Sequence, residues 1–440
     1  MLTSTFSFAQ QELSLSDAIQ LGLENNFQIK IADLAIDAAK MNNTYSEAGG
    51  GPTISLTVQQ NQVFIDNNNP ASFINGKLLT ASTTPVLNSR WILFNGYRIK
   101  VSKQQLELLE QQSNENASIV VENVLQAIVL SYYRCLVEQK KLAVVTALLK
   151  SSEEQLTLAE EKKGLGALTT YDLLQIENSY LDDSTRFLLS KMNFDNAVRN
   201  LNLVLGVEVD SQYVFVDELK EAPALTSVSE IETVMLNDNH TLKKEYLNTQ
   251  LIQNQSTLQK SALYPLIYLD AGVGGNVSVL APFGSLLTQI QDDRNTGARI
   301  GLGGNYQAYI NFTLAWTLFD GKKSQRNVKE ALINLEATEY KVEDIKRTMS
   351  SDLKKSYAFY QTQKQISAVS ERKKVSSLLN SELSTERWEK GLLNSFDYRM
   401  IQLDYLNSEL GLMESYYNQW ANYLEISRMT GGILKELEVE

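Results

Sequence analysis

Two stretches, Trp91-Ile92-Leu93-Phe94-Asn95-Gly96 and Trp316-Thr317-Leu318-Phe319-Asp320-Gly321, decide how this chain is read. They lie 225 residues apart, and the same offset pairs Ser131-Tyr132 with Ser356-Tyr357, Gly166 with Gly391, Asp172 with Asp397, Tyr180-Leu181 with Tyr405-Leu406, and Gly206 with Gly431. Chance can supply one such match; it does not supply this many in one register. Upstream, Leu23-Glu24-Asn25-Asn26 matches Leu236-Asn237-Asp238-Asn239 and Pro52 matches Pro265, at an offset of 213. The chain therefore reads as an internal duplication, with repeats over 11–206 and 227–431, a linker over 207–226 and an acidic tail over 432–440.

Outward from the Trp motifs, period-2 alternation predicts strands. Tyr306, Ala308, Ile310, Phe312, Leu314, Trp316 and Leu318 share one face, and Gln307, Tyr309, Asn311, Thr313 and Thr317 the other. Ile54, Leu56 and Val58 alternate in the same way with Ser55 and Thr57. Strands of roughly ten residues are expected over 53–65, 84–94, 266–280 and 305–319, joined by polar loops at Asp66–Pro70 and Gln291–Gly297. Helices are expected over 15–48, 97–163 and 169–205, and again over 227–262, 322–390 and 394–430. The stretch 97–163 holds neither Pro nor any Gly, and Ile128, Cys135, Leu142, Leu149 and Leu156 recur every seven residues. At about 1.5 Å per residue such a helix is on the order of 100 Å long and must pack beside other long helices. The expected fold is mainly α with a small β part.

The composition bounds the function. The net charge of −12 offers no basic stripe for nucleic acid. A lone Cys135 excludes an intrachain disulfide, and a lone His240 excludes His-cluster metal sites and the usual catalytic triads. Neither a metal nor a cofactor is expected, and no constellation suggests an enzyme. No run approaches the roughly 18 apolar residues of a spanning helix, so a bilayer could be crossed only by strands. Met1–Gln10 looks like the tail of a secretory signal, and no Cys follows it to carry a lipid. Four strands cannot close a barrel, and open edges in lipid would leave N–H and C=O groups unpaired, so closure calls for further copies of the chain.

The W-x-L-F-N/D-G strand ending, the repeated long helices and the glycine turns followed by Asp resemble the TolC-like family of outer-membrane efflux proteins across nearly the whole chain. That resemblance implies a homotrimer with a twelve-stranded transmembrane β-barrel, four strands per chain, on a periplasmic α-barrel of twelve helices. It further implies a passive outer-membrane duct for efflux or secretion, working with a periplasmic adaptor protein and an energised inner-membrane transporter. The residues alone leave open a soluble coiled-coil scaffold with a β cap.

On the matching positions, Gly164, Leu165, Gly166, Gly391 and Leu392 form the turns between long and short helices, which the resemblance makes the adaptor-contact tip. Asp172 and Asp397 suit helix N-termini, and the resemblance makes them gate candidates at the periplasmic mouth. The family's second gate Asp is Met400 here, with Asp404 one turn further on. Trp91, Phe312 and Trp316 are expected on the membrane face of the barrel. Cys135 reads as a buried small hydrophobe on the heptad seam, and His240 as a surface residue.

Overall fold

The computed structural model describes residues 11–69, 71, 76–282 and 301–433. The signal-like tail Met1–Gln10, the polar loop 291–297, Pro70 and most of the acidic tail lie outside the described residues. In chain order the elements are β1 (Gln11–Leu13), α1 (Leu15–Asn25), α2 (Phe27–Asn42), β2 (Thr53–Asn67), β3 (Gly76–Asn95), α3 (Arg98–Gly164) and α4 (Thr170–Leu205). There follow β4 (Tyr213–Phe215), α5 (Val228–Asp238), α6 (His240–Ser261), β5 (Leu266–Pro282), β6 (Gly301–Ala315), α7 (Lys323–Glu389) and α8 (Ser395–Met429). The chain is mainly helical, and α3 and α7 are single helices of 67 residues each. Two compact units divide it: Met1–Asp37 with Gln112–Tyr246 and Tyr340–Glu440, and Ala38–Gln111 with Leu247–Glu339.

In the first unit the middle of α3 lies in the core; of the expected seam Ile128 and Cys135 are buried, whereas Leu142, Leu149 and Leu156 are half-buried and Val145 and Leu148 are buried instead. Ile128, Val129, Tyr132 and Cys135 pack with Leu201, Leu205, Met235, Leu353 and Ile426, all buried. Burial pushes the Cys135 thiol up to about 12, so it behaves as a small hydrophobe. One window of α3 is apolar enough by composition to cross a membrane, but half of it is buried inside the fold. Beside the helices, β1 and β4 pair in parallel, Gln11 opposite Tyr213 and Leu13 opposite Phe215.

The helix expected over 15–48 is two helices, because Asn26 breaks it. Its backbone is extended, its Oδ1 accepts from the N–H groups of Gln28 (2.8 Å) and Ile29 (3.3 Å), and its Nδ2 donates to the Val204 carbonyl at 2.7 Å. One side chain thus starts α2 and satisfies an orphan carbonyl of α4. The helix expected over 227–262 breaks in the same way at Asn239, whose Oδ1 accepts from Leu242 N–H and whose Nδ2 donates to Met429, both at 2.9 Å. Further bonds recur at the same two offsets: Tyr132 Oη donates to the Leu13 carbonyl at 2.9 Å, and Tyr357 Oη to that of Thr226 at 3.1 Å. Gly206 and Gly431 are left-handed, φ 74° and 67°, and a Cβ there would lie 2.6 Å from the Asn25 carbonyl oxygen and 2.9 Å from that of Asp238. Only glycine fits that approach.

The second unit holds one antiparallel sheet in the order β2-β3-β5-β6. Its strands run 15, 20, 17 and 15 residues; β2, β3 and β5 outrun the spans expected at 53–65, 84–94 and 266–280, and β6 has the expected length but starts four residues earlier than 305. β3 begins at Gly76 rather than 84 because it pairs along the whole of β2, Asn67 opposite Gly76. β6 ends at Ala315, opposite Leu266, because Pro265 precedes β5; Trp316 therefore lies just past the strand.

The register sorts the side chains into two faces. Rows such as Thr53–Arg90–Asp270–Asn311 and Ser55–Asn88–Gly272–Tyr309 make one face mostly polar. The other carries Ile54, Leu56, Leu87, Trp91, Val273, Val277, Ile310 and Phe312, all exposed. Every residue of β2 from Thr53 to Asp66 is exposed as well. In a water-soluble sheet the apolar face packs on a core. Here nothing among the described residues covers that face.

Candidate functional site

Both turns between a long and a short helix close by the same bonds. In the first, Gly166 N–H reaches the Lys163 carbonyl at 2.9 Å and Ala167 N–H that of Lys162 at 2.8 Å; in the second, Gly391 N–H reaches Trp388 at 2.9 Å and Leu392 N–H reaches Arg387 at 2.8 Å. These are Schellman motifs, with Gly166 and Gly391 left-handed at φ 74° and 72°. Gly164 is the last residue of α3, and Leu165 precedes the left-handed glycine whereas Leu392 follows its own. Both leucines project into solvent, 85 % and 67 % exposed.

The gate candidates each hold a partner within the chain. Thr169 Oγ1 accepts from Asp172 N–H at 3.1 Å and donates to Asp172 Oδ2 at 2.5 Å, starting α4. Asn394 does the same for α8, accepting from Asp397 N–H at 2.8 Å and donating to Asp397 Oδ2 at 2.7 Å. Each carboxylate sits where the helix dipole favours negative charge. Asp404 is ion-paired with Lys373 on α7, Nζ to Oδ1 3.2 Å. Met400, in place of the second acid, is exposed.

The aromatic candidates lie on or beside the bare face of the sheet. Trp91 Nε1 donates to the Gly50 carbonyl at 3.1 Å and Trp316 Nε1 to that of Leu263 at 3.2 Å. Donors 225 apart thus meet acceptors 213 apart, so the two offsets of the sequence converge in one bond. Phe312 stands exposed on the same face as Trp91.

Two charge constellations escaped the sequence. Asp183 of α4 is fully buried, and Arg399 of α8 grips it with both Nη atoms, Nη1 to Oδ2 at 2.7 Å and Nη2 to Oδ1. The repeat could not have shown this pair, because the positions equivalent to its members are Ser408 and Leu174. Nor is His240 a surface residue. Its Nδ1 lies 2.7 Å from Glu115 Oε2 and its Nε2 3.8 Å from Glu122 Oε1, an oxygen with no hydrogen-bond partner among the described residues.

Glu122 is only 3 % exposed, and burial raises its carboxyl above the ordinary range against the opposing charges of His240, Arg428 and Lys243, while Glu115 adds to the rise. A raised carboxyl favours folding while it is protonated, and that contribution is lost as pH rises through the folded-state pKa. The permanently neutral Glu122→Gln variant is therefore expected to gain stability over the wild type near pH 7.5, with the gain vanishing below about pH 4. Thermal melting at the two ends of that range checks the sign.

No protein-family model matches the chain, and a search of curated proteins finds no match. Solved structures do match. A membrane protein from Pseudomonas aeruginosa superposes with a TM-score of 0.72 at 17 % identity, over 96 % of this chain and 91 % of that one. The CmeC outer membrane channel of Campylobacter jejuni gives a TM-score of 0.73 at 15 % identity, over 97 % and 88 %. The open state of the Neisseria gonorrhoeae MtrE outer membrane channel gives 0.68 at 14 % identity, over 96 % and 89 %. At such identities the likeness is one of fold. This chain has the fold of the TolC-like outer-membrane channels that its sequence resembles.

Proposed function

We propose that this chain is one of three identical subunits of an outer-membrane export duct that reaches into the periplasm. The observation that carries this reading is the sheet: four strands with an apolar face that nothing among the described residues covers, a polar face opposite, and two edges, β2 and β6, without a strand partner among the described residues. Lipid suits the apolar face, since hydrocarbon removes the cost of exposing it to water. Lipid also forbids the open edges, because unpaired backbone groups there cost several kcal/mol each. Edge-to-edge pairing of three copies satisfies both demands and makes a closed barrel of twelve strands. At about 3.3 Å per residue even the 15-residue strands outreach an apolar band about 25 Å tall when tilted.

The hydrogen bonds that recur at the offsets of 213 and 225 support a duplicated chain. The duct is passive, and its energy comes from an inner-membrane transporter coupled through a periplasmic adaptor. Leu165 and Leu392, exposed at the glycine turns with Gly164, Gly166 and Gly391, are the surface we assign to that adaptor. Asp172, Asp397 and Asp404 would line the periplasmic mouth, in addition to capping α4 and α8 and pairing with α7. Trp91, Phe312 and Trp316 would meet the membrane interface.

Fractionation tests the duct, and tip substitutions test the docking. Heat-modifiable trimers in the outer-membrane fraction are expected, whereas a soluble monomer would refute the proposal. In cells whose export of a toxic compound depends on this protein, Leu165→Asp combined with Leu392→Asp should abolish that export and leave trimers intact. Unchanged export would remove the tip from the docking surface.

A further inference from the structure

The polar face of the sheet is almost free of charge. Across the four strands the charged residues are Asp66, Lys77, Arg90 and Asp270. Asp66 and Lys77 stand opposite each other at the far end of the β2–β3 pair and belong by register to the apolar face. Arg90 and Asp270 are thus the only charged side chains on the polar face among the described residues, and they face each other in one row between Thr53 and Asn311. Arg90 Nε lies 2.7 Å from Asp270 Oδ1 and Nη2 3.3 Å from Oδ2, a two-pronged pair of fixed geometry. The guanidinium also lies 4.9 Å from the ring centroid of Tyr268. In the next row Tyr309 lies across Gly272, where a Cβ would come within 2.6 Å of its hydroxyl, and donates to Asn88 Oδ1 at 3.2 Å. Around the pair the wall is hydroxyl, amide and phenol, with one aliphatic side chain, Ile92, in the adjoining row.

We propose that the Arg90–Asp270 pair determines the charge selectivity of the barrel segment of the duct. This rests on the duct reading above, in which the polar face lines the lumen. Each chain contributes one cation and one anion that cancel, so three chains place three neutral couples at one level of a wall that holds no other charge among the described residues. The barrel therefore discriminates little by charge and admits organic cargo of either sign. Removing one member of the pair converts the level into a ring of like charge, the arrangement that makes pores selective. Asp270→Asn leaves three guanidinium groups and favours anions; Arg90→Gln leaves three carboxylates and favours cations.

The test is the reversal potential of the purified protein in planar bilayers under a potassium chloride gradient. The two single variants are expected to shift it in opposite directions, changing the permeability ratio several-fold. The exchange Arg90→Asp with Asp270→Arg keeps the couple and should conduct with the wild-type reversal potential, which separates charge from folding damage. Single variants that form heat-modifiable trimers and conduct with the wild-type reversal potential overturn the assignment while leaving the duct intact. A wild-type protein that forms no conducting pore overturns the duct reading itself, and this assignment with it.

Discussion

The Arg399→Ala variant is expected to lose about 3–5 kcal/mol of stability. Asp183 is fully buried, and both of its oxygens are held by that one guanidinium. Truncating Arg399 strands a fully buried carboxylate. The reverse change is milder, because the Arg399 side chain keeps some contact with solvent, 14 % exposed, and Asp183→Asn retains a hydrogen-bonding oxygen. Replacing both residues with apolar ones of similar volume should recover most of the loss, since a buried ion pair contributes little net stability once both charges are removed. Urea or thermal unfolding of the detergent-solubilised protein measures all four species. A loss below about 1 kcal/mol for Arg399→Ala would show that Asp183 finds water or another partner.

The second large effect compares two neighbouring residues. Ile310 and Asn311 are adjacent on β6 but belong to opposite faces, Ile310 on the apolar one with 71 % of its surface exposed. Ile310→Arg would place a guanidinium against lipid at a cost of about 2–4 kcal/mol per chain near the bilayer midplane. Multiplied over the copies in a barrel, that cost should empty the outer-membrane fraction of folded protein. Asn311→Arg introduces the same side chain one residue away, on the polar face, and should assemble normally. The amount of heat-modifiable protein in isolated outer membranes compares them directly. Equal amounts would mean that the apolar face does not meet lipid.

What could be read from the chain was what repeats at short range. Alternation along β6 assigns Ile310 and Asn311 to opposite faces without any knowledge of their neighbours, and the breaker-free run before Gly164 announces α3. A proline argues against a central strand, yet Pro85 lies within β3, opposite Val58 of β2, where the pairing with β5 is interrupted between Thr83 and Val86. The break at Asn26 was hidden, since it depends on a carbonyl 178 residues away. β1 and β4 are three residues each, too short for any periodicity. The pairing of Asp183 with Arg399 and the seating of His240 between Glu115 and Glu122 are long-range and have no counterpart in the other half. Duplication therefore exposes what both halves share and conceals what each acquired alone.

Asn26 and Asn239 also set an order of events in time. The first cannot find its acceptor until Val204 is available, the second until Met429 is, separations of 178 and 190 residues. Contacts so distant along the chain form slowly, because loop closure must precede their reward. Each of these two bonds nevertheless lies within one half, so the bond of Asn26 can form before the carboxy-terminal half has arrived. On the duct reading, the apolar face of the sheet also stays in water until it meets lipid, an interval in which aggregation is the hazard.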